Sequence, residues 1–235
     1  SKHNVIMTPT NFLYFDYGQG DPAFEPINIG NHVPIETVYS YNPIPKELSA
    51  DEAKYILGAQ ANLWTEYIKT PDKVEYMIFP RILALSEVVW SPLEAKNFAD
   101  FQRRLSNHFP RLDRQNVNYR ILAPEGLRNL VLNGDGRAKI ELKPTIEGAR
   151  IYYTTDGSTP HEKSKLYERP IEIQLKPLER MELKTIVVNE KGRQSVPYAA
   201  TILRRAAMDL TSCITRASFS RWVAPGWPPG NTTMS

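Results

Sequence analysis

The first 120 residues alternate between short apolar runs and segments with helical periodicity. Val5–Met7 is a short apolar run that predicts a strand, and a second apolar run leads into residues 58–67. Each run is followed by aromatic and acidic residues, and the two units lie about fifty residues apart. Two strands that end in this way, separated by a long connection, are typical of successive βα-loops in a (β/α) barrel. The pattern therefore predicts an α/β fold for this part of the chain.

Helix-start signals fit the same alternation. Ser49–Glu52 has the pattern of a capping box, Thr70-Pro71 places a cap residue before proline, and Ser91-Pro92 does the same. The apolar segment Ile82–Trp90 could continue the preceding helix, but the alternation of a barrel favours a closing eighth strand there.

Apolar residues after Pro92 recur at intervals of three and four, with arginines on the opposite side. This spacing predicts one amphipathic helix on the outer surface of the barrel. Its apolar positions are Phe98, Phe101, Leu105, Phe109 and Leu112.

At residues 123–126 the helical periodicity gives way to short strands separated by glycine and proline. The alternation of apolar and polar positions predicts a small β-sandwich over residues 123–205. Its strands are expected at 139–143, 149–154, 171–175, 182–188 and 198–203, with turns at Asn133, Asp156 and Lys191. Residues 206–235 show no period and are expected to form an irregular tail or linker.

Composition and charge exclude several classes of function. The chain has 235 residues, with 29 basic and 26 acidic side chains spread along it, so no basic stripe predicts binding to nucleic acid. Cys213 is the only cysteine and the four histidines are scattered, so we expect no disulfide, no metal site and no cofactor.

The beginning of the sequence and its hydropathy bear on location. No apolar run approaches the ~18 residues that a membrane span requires. Val5 already belongs to a predicted strand, which leaves no room for a signal peptide, so we expect a piece of a longer protein. The composition fits a secreted or periplasmic protein.

The residues after the two apolar runs suggest carbohydrate chemistry. Trp64 and Glu66 offer an indole face for the apolar side of a sugar ring and a carboxylate for its hydroxyl groups. Tyr14 and Asp16 repeat this combination after the first run. These four side chains are the candidate site.

Each candidate also has a purely structural interpretation. Tyr14 could be a core residue at the end of a strand, and Asp16 could form a turn. Glu66 could be the ion-pair partner of Lys69 or Arg81.

Three segments carry a resemblance to a known family. Residues 14–16, 58–67 and 79–92 resemble, in order and spacing, the last third of a β-N-acetylhexosaminidase of glycoside hydrolase family 20. The resemblance covers roughly residues 4–121. Residues 152–160 resemble the C-terminal sandwich domain attached to chitobiase-like hexosaminidases.

The resemblance implies an exo-acting retaining glycosidase in which the substrate's own 2-acetamido group is the nucleophile. It implies that Tyr14 donates to the acetamide oxygen and that Trp64 forms the wall of the −1 pocket. Asp16 and Glu66 would bind ring hydroxyls. The implied partners are oligosaccharides or glycoconjugates that end in N-acetylhexosamine.

The catalytic Asp-Glu pair of the family lies on an earlier strand and is absent from this chain. Asp51-Glu52 is its only Asp-Glu dipeptide and belongs to the predicted capping box. We therefore expect the chain to be inactive alone. Gly18 stands where many relatives carry a second aromatic residue, which leaves the shape of that loop open.

Two other classes of protein compete with this interpretation. A non-catalytic carbohydrate-binding module would need exposed aromatic residues on one face, but Tyr152 and Tyr153 point to opposite faces of one strand. A structural fragment would give no reason for Tyr14, Asp16 and Glu66 to lie at strand ends.

Overall fold

The structure is a computed structural model that describes residues 2–206. The tail expected at residues 206–235 therefore lies outside the described residues apart from its first position, as does Cys213. The described residues form a mixed α/β fold, as the sequence predicts.

The first part of the chain contains two short strands and seven helices among the described residues. Their bounds are β1 Val5–Met7, α1 Thr10–Leu13, α2 Ile35–Ser40, α3 Ala50–Ala53, β2 Ile56–Ala59, α4 Pro71–Ile78, α5 Arg81–Trp90, α6 Phe98–Leu105 and α7 Phe109–Arg114. A single 3₁₀ turn at Leu93–Ala95 precedes α6.

Strands β1 and β2 pair in parallel, with Ile6 opposite Gly58 and Met7 opposite Ala59. The pairing resumes beyond the strands as an isolated parallel bridge between Tyr14 and Asn62. Parallel strands place their carboxyl ends at the same edge of a sheet, so the segments that follow β1 and β2 are neighbours.

Two of the three predicted helix starts are confirmed. The Ser49 side chain accepts from the backbone N–H of Glu52, and the Glu52 carboxylate accepts from the Ser49 backbone N–H, which completes the capping box. Thr70 caps α4, and Pro71 is its first residue. The expectation at Ser91 was wrong because only a 3₁₀ turn follows, and α6 is instead capped by Asn97.

The predicted eighth strand at Ile82–Trp90 is wrong, because these residues belong to helix α5. Arg81, Ala84, Leu85 and Val88 are its buried residues, and their spacing of three, four and seven is helical.

The amphipathic pattern from Phe98 to Leu112 is correct in its buried positions but forms two helices. Helix α6 ends at Leu105 and α7 begins at Phe109. Pro110 lies in the first turn of α7, where its missing N–H is harmless, whereas in a continuous helix it would remove a hydrogen bond.

The second part of the chain contains seven strands in two sheets. A five-stranded sheet has the order β3-β9-β8-β5-β6, in which only β3 and β9 are parallel, and β4 pairs with β7 in a separate antiparallel sheet. Their bounds are β3 Leu130–Leu132, β4 Arg137–Ile140, β5 Arg150–Thr154, β6 Lys165–Leu166, β7 Ile171–Gln174, β8 Arg180–Val188 and β9 Tyr198–Arg204.

The five strands expected from the sequence all occur, and the short strands β3 and β6 were missed. The three expected turns are supported by glycines with positive φ, namely Gly134 at 60°, Gly157 at 82° and Gly192 at 76°. Tyr152 is buried and Tyr153 is half-buried, so neither provides an exposed platform for a sugar.

One continuous hydrophobic core joins the two parts of the chain. It includes Leu13 and Phe15 from the segment after β1, Phe109 from α7, and Leu183 and Ile202 from the five-stranded sheet. The connection between β8 and β9 adds polar contacts to the end of α7.

Three side chains of the β8–β9 connection make these polar contacts. Asn189 donates to the Asp113 carboxylate at 3.2 Å, Lys191 donates to the Asp113 carbonyl, and Arg193 donates to the Val117 carbonyl. Elements that lie more than seventy residues apart in sequence are therefore fixed together.

A buried ion pair lies at the same junction. Arg120 donates through Nε and Nη2 to Glu25 Oε1 at 2.9 and 2.7 Å, and the two side chains are 5% and 1% exposed. Tyr76 donates to the other Glu25 oxygen at 3.1 Å, and the Tyr198 ring of β9 lies 5.2 Å from the Arg120 guanidinium. The pair ties the long segment after Asp16 to α4 and to the five-stranded sheet.

Replacing Glu25 with glutamine leaves the Arg120 guanidinium buried without its counter-charge. We expect Glu25→Gln to lower the free energy of unfolding by about 3–5 kcal/mol, the usual cost of breaking a buried pair from one side. Urea unfolding measures this loss. Lys54→Gln removes the exposed pair of Lys54 with Asp51 and should leave the midpoint unchanged. Equal midpoints for the two variants would contradict the prediction.

Candidate active site

The parallel pairing of β1 and β2 builds the candidate site. Asn62 donates its backbone N–H to the Leu13 carbonyl at 2.9 Å, and Phe15 donates to the Asn62 carbonyl at 2.7 Å. These bonds hold the segment after α1 against the segment after β2. Tyr14, Asp16 and Trp64 are thereby brought close together.

Aromatic rings form one side of the site. The centroid of the Tyr14 ring lies 6.5 Å from that of Trp64 and 5.7 Å from that of Tyr17. Trp64 is 52% exposed and Tyr67, three residues later, is 43% exposed. An indole so open, beside a half-buried phenol, is available as a stacking surface for a ligand ring.

Asp16 is the buried acid of the site. Its side chain is buried, and Asp16 Oδ1 has no hydrogen-bond partner among the described residues. Burial raises the pKa of Asp16, and the negative charge of Glu66 raises it further, whereas Arg81 and the backbone of Trp64 act to lower it. An unpartnered carboxylate oxygen in this position can accept a hydrogen bond from a ligand hydroxyl group.

Glu66 is the exposed acid of the site. The alternative that pairs it with Lys69 or Arg81 finds no support, since Glu66 forms no ion pair within residues 2–206. Its carboxylate is therefore free to accept hydrogen bonds at the rim of the site.

The guanidinium of Arg81 is not directed at Glu66. It is fully buried and donates to backbone carbonyls, including those of Phe15 and Tyr17 on either side of Asp16. A single cation at the start of the apolar segment 81–90 is the sequence signal for this role, because an arginine there must be buried with its donors satisfied.

Two further side chains anchor the segments of the site to α4 and were missed. Lys73 donates to the carbonyls of Tyr67, at 2.7 Å, and of Ile27. Gln19 is buried and donates to the Tyr76 carbonyl at 2.6 Å. These side chains donate to backbone carbonyls, which every residue has, so the sequence gives no signal for the contacts.

No group of His, Cys, Asp and Glu side chains within residues 2–206 is arranged to hold a metal ion. Over the same residues, no helix is long and apolar enough to cross a membrane.

An exposed indole, a phenol and two carboxylates lie at adjoining strand ends, and such groups can contact the apolar face and the hydroxyl groups of a sugar ring. Residues 1–93 match the family model described as glycosyl hydrolase family 20, catalytic domain, and residues 140–201 match a model described as Fn3 associated. The resemblance to glycoside hydrolase family 20 seen in the sequence is confirmed.

The relatives of this chain include two bacterial proteins named β-hexosaminidase. That of Porphyromonas gingivalis is 46% identical over 175 residues, which cover 73% of this chain and 22% of the relative. That of Vibrio furnissii is 36% identical over 85 residues, which cover 35% of this chain and 14% of the relative. The chain thus spans about a fifth or less of the length of these relatives.

Among solved structures, the chain is similar to a family 20 exo-β-N-acetylglucosaminidase from Vibrio harveyi in complex with N-acetylglucosamine. The identity is 37% and the TM-score is 0.46, with 50% of this chain and 19% of that chain covered.

The raised pKa of Asp16 predicts how stability depends on pH. A carboxyl group whose pKa is higher in the folded state destabilises that state when ionised, and this penalty is absent at pH values below the unfolded pKa of about 3.9. The free energy of unfolding of Asp16→Asn should therefore increase relative to that of the unsubstituted protein as the pH rises from 3 to 7. Urea unfolding at several pH values measures the difference. A difference that is constant with pH would contradict the assignment.

Proposed function

We propose that the chain is part of an exo-acting β-N-acetylhexosaminidase that removes terminal N-acetylglucosamine or N-acetylgalactosamine. Residues 1–122 would form the last strands and helices of its catalytic (β/α)8 barrel, and residues 123–205 a C-terminal β-sandwich. The parallel β1–β2 pair with its flanking helices supports the first assignment. The two sheets that share one core support the second.

The observation that carries the proposal is the meeting of Tyr14, Asp16 and Trp64 beyond the carboxyl ends of two parallel strands. In a (β/α)8 barrel the active site is built from the loops at this end of the strands. Exposed Glu66 follows Trp64 on the same loop. The names of the relatives, which are β-hexosaminidases and an N,N'-diacetylchitobiase, support the substrate class.

Each side chain has a distinct role in this proposal. The indole of Trp64 stacks on the apolar face of the terminal sugar, and the ring hydroxyl groups of that sugar donate to Asp16 and Glu66. The Tyr14 hydroxyl group donates a hydrogen bond to the 2-acetamido oxygen of the substrate. That oxygen attacks the anomeric carbon as the glycosidic bond breaks, which forms an oxazolinium-like intermediate. Water then opens this intermediate at the anomeric carbon, so the sugar is released with retained configuration without a nucleophile from the protein.

The remaining machinery would come from outside this chain. In this mechanism a general acid protonates the leaving oxygen, and we place that group on an upstream segment of the parent protein. The only Asp-Glu dipeptide, at residues 51–52, is engaged in the capping box of α3. The substrates would be oligosaccharides or glycoconjugates that end in N-acetylhexosamine, and the enzyme would be secreted or periplasmic.

Exposed apolar side chains on β1, β2 and α5 agree with this arrangement. Ile6 is 53% exposed, Leu57 63% and Trp90 87%. Large apolar residues on neighbouring elements usually mark a surface that is covered by other protein. In the proposal this surface packs against the earlier strands and helices of the barrel.

We expect the isolated 235-residue chain to release no p-nitrophenol from p-nitrophenyl N-acetyl-β-glucosaminide. A missing general acid alone costs on the order of a hundred- to ten-thousand-fold in rate. The assay compares the purified chain with the complete parent enzyme, which should hydrolyse the substrate. Robust hydrolysis by the isolated chain would contradict the assignment of the general acid to another segment.

The role of Tyr14 predicts a selective kinetic defect in the complete enzyme. Its donor acts mainly on charge that develops in the transition state, so Tyr14→Phe should lower kcat by about a hundred- to a thousand-fold with a much smaller effect on KM. Steady-state kinetics measure both constants. Tyr55→Phe is the matched control, since Tyr55 lies at the amino end of β2, away from the site. A near-normal kcat for Tyr14→Phe would show that this residue does not contact the acetamide.

Glu66→Gln tests the other half of the assignment. A carboxylate that binds ring hydroxyls acts on substrate and transition state together, so this variant should raise KM and lower kcat. It should also change the ratio of kcat/KM between gluco and galacto substrates. An unchanged ratio would remove Glu66 from the hydroxyl-binding site.

A further inference from the structure

Arg81 has the densest set of hydrogen bonds near the site, yet none of its donors reaches the site itself. Nη2 donates to the Phe15 carbonyl at 2.6 Å, and Nη1 donates to the carbonyls of Tyr17 and Val33 at 3.1 and 2.9 Å. Nε donates to the Met77 carbonyl at 3.1 Å. One guanidinium therefore joins the loop around Asp16, the segment that leads into α2 and the end of α4.

The Arg81 group also packs on the loop. Its guanidinium carbon lies 4.6 Å from the centroid of the Phe15 ring, which is a cation–π contact inside the core. Phe15 and Tyr17 flank Asp16 directly, so both the backbone and one neighbouring side chain of Asp16 are fixed by the same residue.

We propose that Arg81 is a positioning residue of the active site, which fixes the loop of residues 14–17 so that Tyr14 and Asp16 face the substrate. This inference rests on the proposed function, since it takes these two residues as the substrate contacts. Arg81 touches neither the substrate nor the reacting atoms. It acts through the backbone on both sides of Asp16.

Only arginine can perform this task at this position. Its planar fork presents five donors in fixed directions, which matches carbonyls that belong to several different segments. A lysine ammonium carries its three donors on a single atom and cannot reach the same carbonyls together. Replacement by lysine would keep the charge and release part of the loop.

Arg81 also supplies a charge behind Asp16. Burial lowers the pKa of Arg81 to about 9, so the group remains cationic at neutral pH. Its charge acts to lower the pKa of Asp16, against the effects of burial and of Glu66. The charged groups that act on Arg81 in turn are Glu25, Arg120 and Asp16. Asp16 therefore senses two charges of opposite sign, Glu66 from the neighbouring loop and Arg81 from α5.

Two variants of the complete parent enzyme separate the two contributions. Arg81→Lys keeps the charge but lacks the planar guanidinium. The resulting displacement of the loop of residues 14–17 should lower kcat/KM about ten- to a hundredfold. Arg81→Gln also loses the charge. The acidic limb of its kcat/KM profile should move to higher pH, because Asp16 loses the cation that lowers its pKa. The limb should stay in place in Arg81→Lys.

Amide hydrogen exchange gives a readout that needs no activity. In both variants, exchange should accelerate at residues 14–18 and remain unchanged in helix α6. Arg104→Gln is the control, because Arg104 binds Glu87 and Asp100 outside this loop. It should alter neither exchange at residues 14–18 nor the acidic limb.

The outcomes distinguish the two proposals. If the unsubstituted parent enzyme hydrolyses no N-acetylhexosaminide, the proposed function fails, and exchange at residues 14–18 still decides the role of Arg81. If both Arg81 variants fold and show normal exchange and kcat/KM within twofold of the unsubstituted enzyme, Arg81 does not position the loop. The proposal is also overturned if the loss of activity in each variant equals the loss of folded protein and the acidic limb of the kcat/KM profile stays in place in Arg81→Gln.

Discussion

The candidate site depends on the parallel pairing of two very short strands and its extension to the bridge between Tyr14 and Asn62. Three- and four-residue strands provide few ladder hydrogen bonds, so the pairing alone is weak. The bonds from Asn62 to Leu13 and from Phe15 to Asn62 lengthen the contact into the loops themselves. The loops are thus held by the backbone, and the side chains of Tyr14 and Trp64 remain available for a ligand.

Two buried arginine side chains also stabilise the segment that follows β1. Arg81 and Arg120 occupy the interior beneath the loops, where most small domains have only apolar side chains. They differ in how their charges are satisfied, because Arg120 has a carboxylate partner whereas Arg81 donates only to carbonyls. The carbonyls of Phe15, Tyr17 and Val33 lie in the segment after β1, and the buried Arg81 guanidinium donates to all three.

Local patterns in the sequence predicted local structure well. Ser49–Glu52 and Thr70-Pro71 act through neighbouring residues, and the turn glycines act through their own φ, so their roles can be recognised without the fold. The error at residues 82–90 has a physical cause, because a short apolar run does not distinguish a buried strand from a buried helix. The helical spacing of the buried positions is the feature that distinguishes the two structures.

In the candidate site, too, some residues can be recognised from the local sequence and others cannot. Tyr14, Asp16, Trp64 and Glu66 follow apolar runs and could be found from their types and spacing. Arg81, Gln19 and Lys73 could not, because their partners are backbone carbonyls that are distant in sequence. The strands β3 and β6, of three and two residues, are too short to show a period, and they are strands only because β9 and β5 pair with them.

The contacts between the β8–β9 connection and α7 have a consequence for how the chain is made. The carbonyls of Asp113 and Val117 receive their donors from Lys191 and Arg193, which a ribosome adds more than seventy residues later. Synthesis proceeds at roughly 5–20 residues per second, so these groups wait for several seconds after α7 leaves the ribosome. During that interval the end of α7 lacks these donors, and its contacts with the second part of the chain form only after residue 193 has been made.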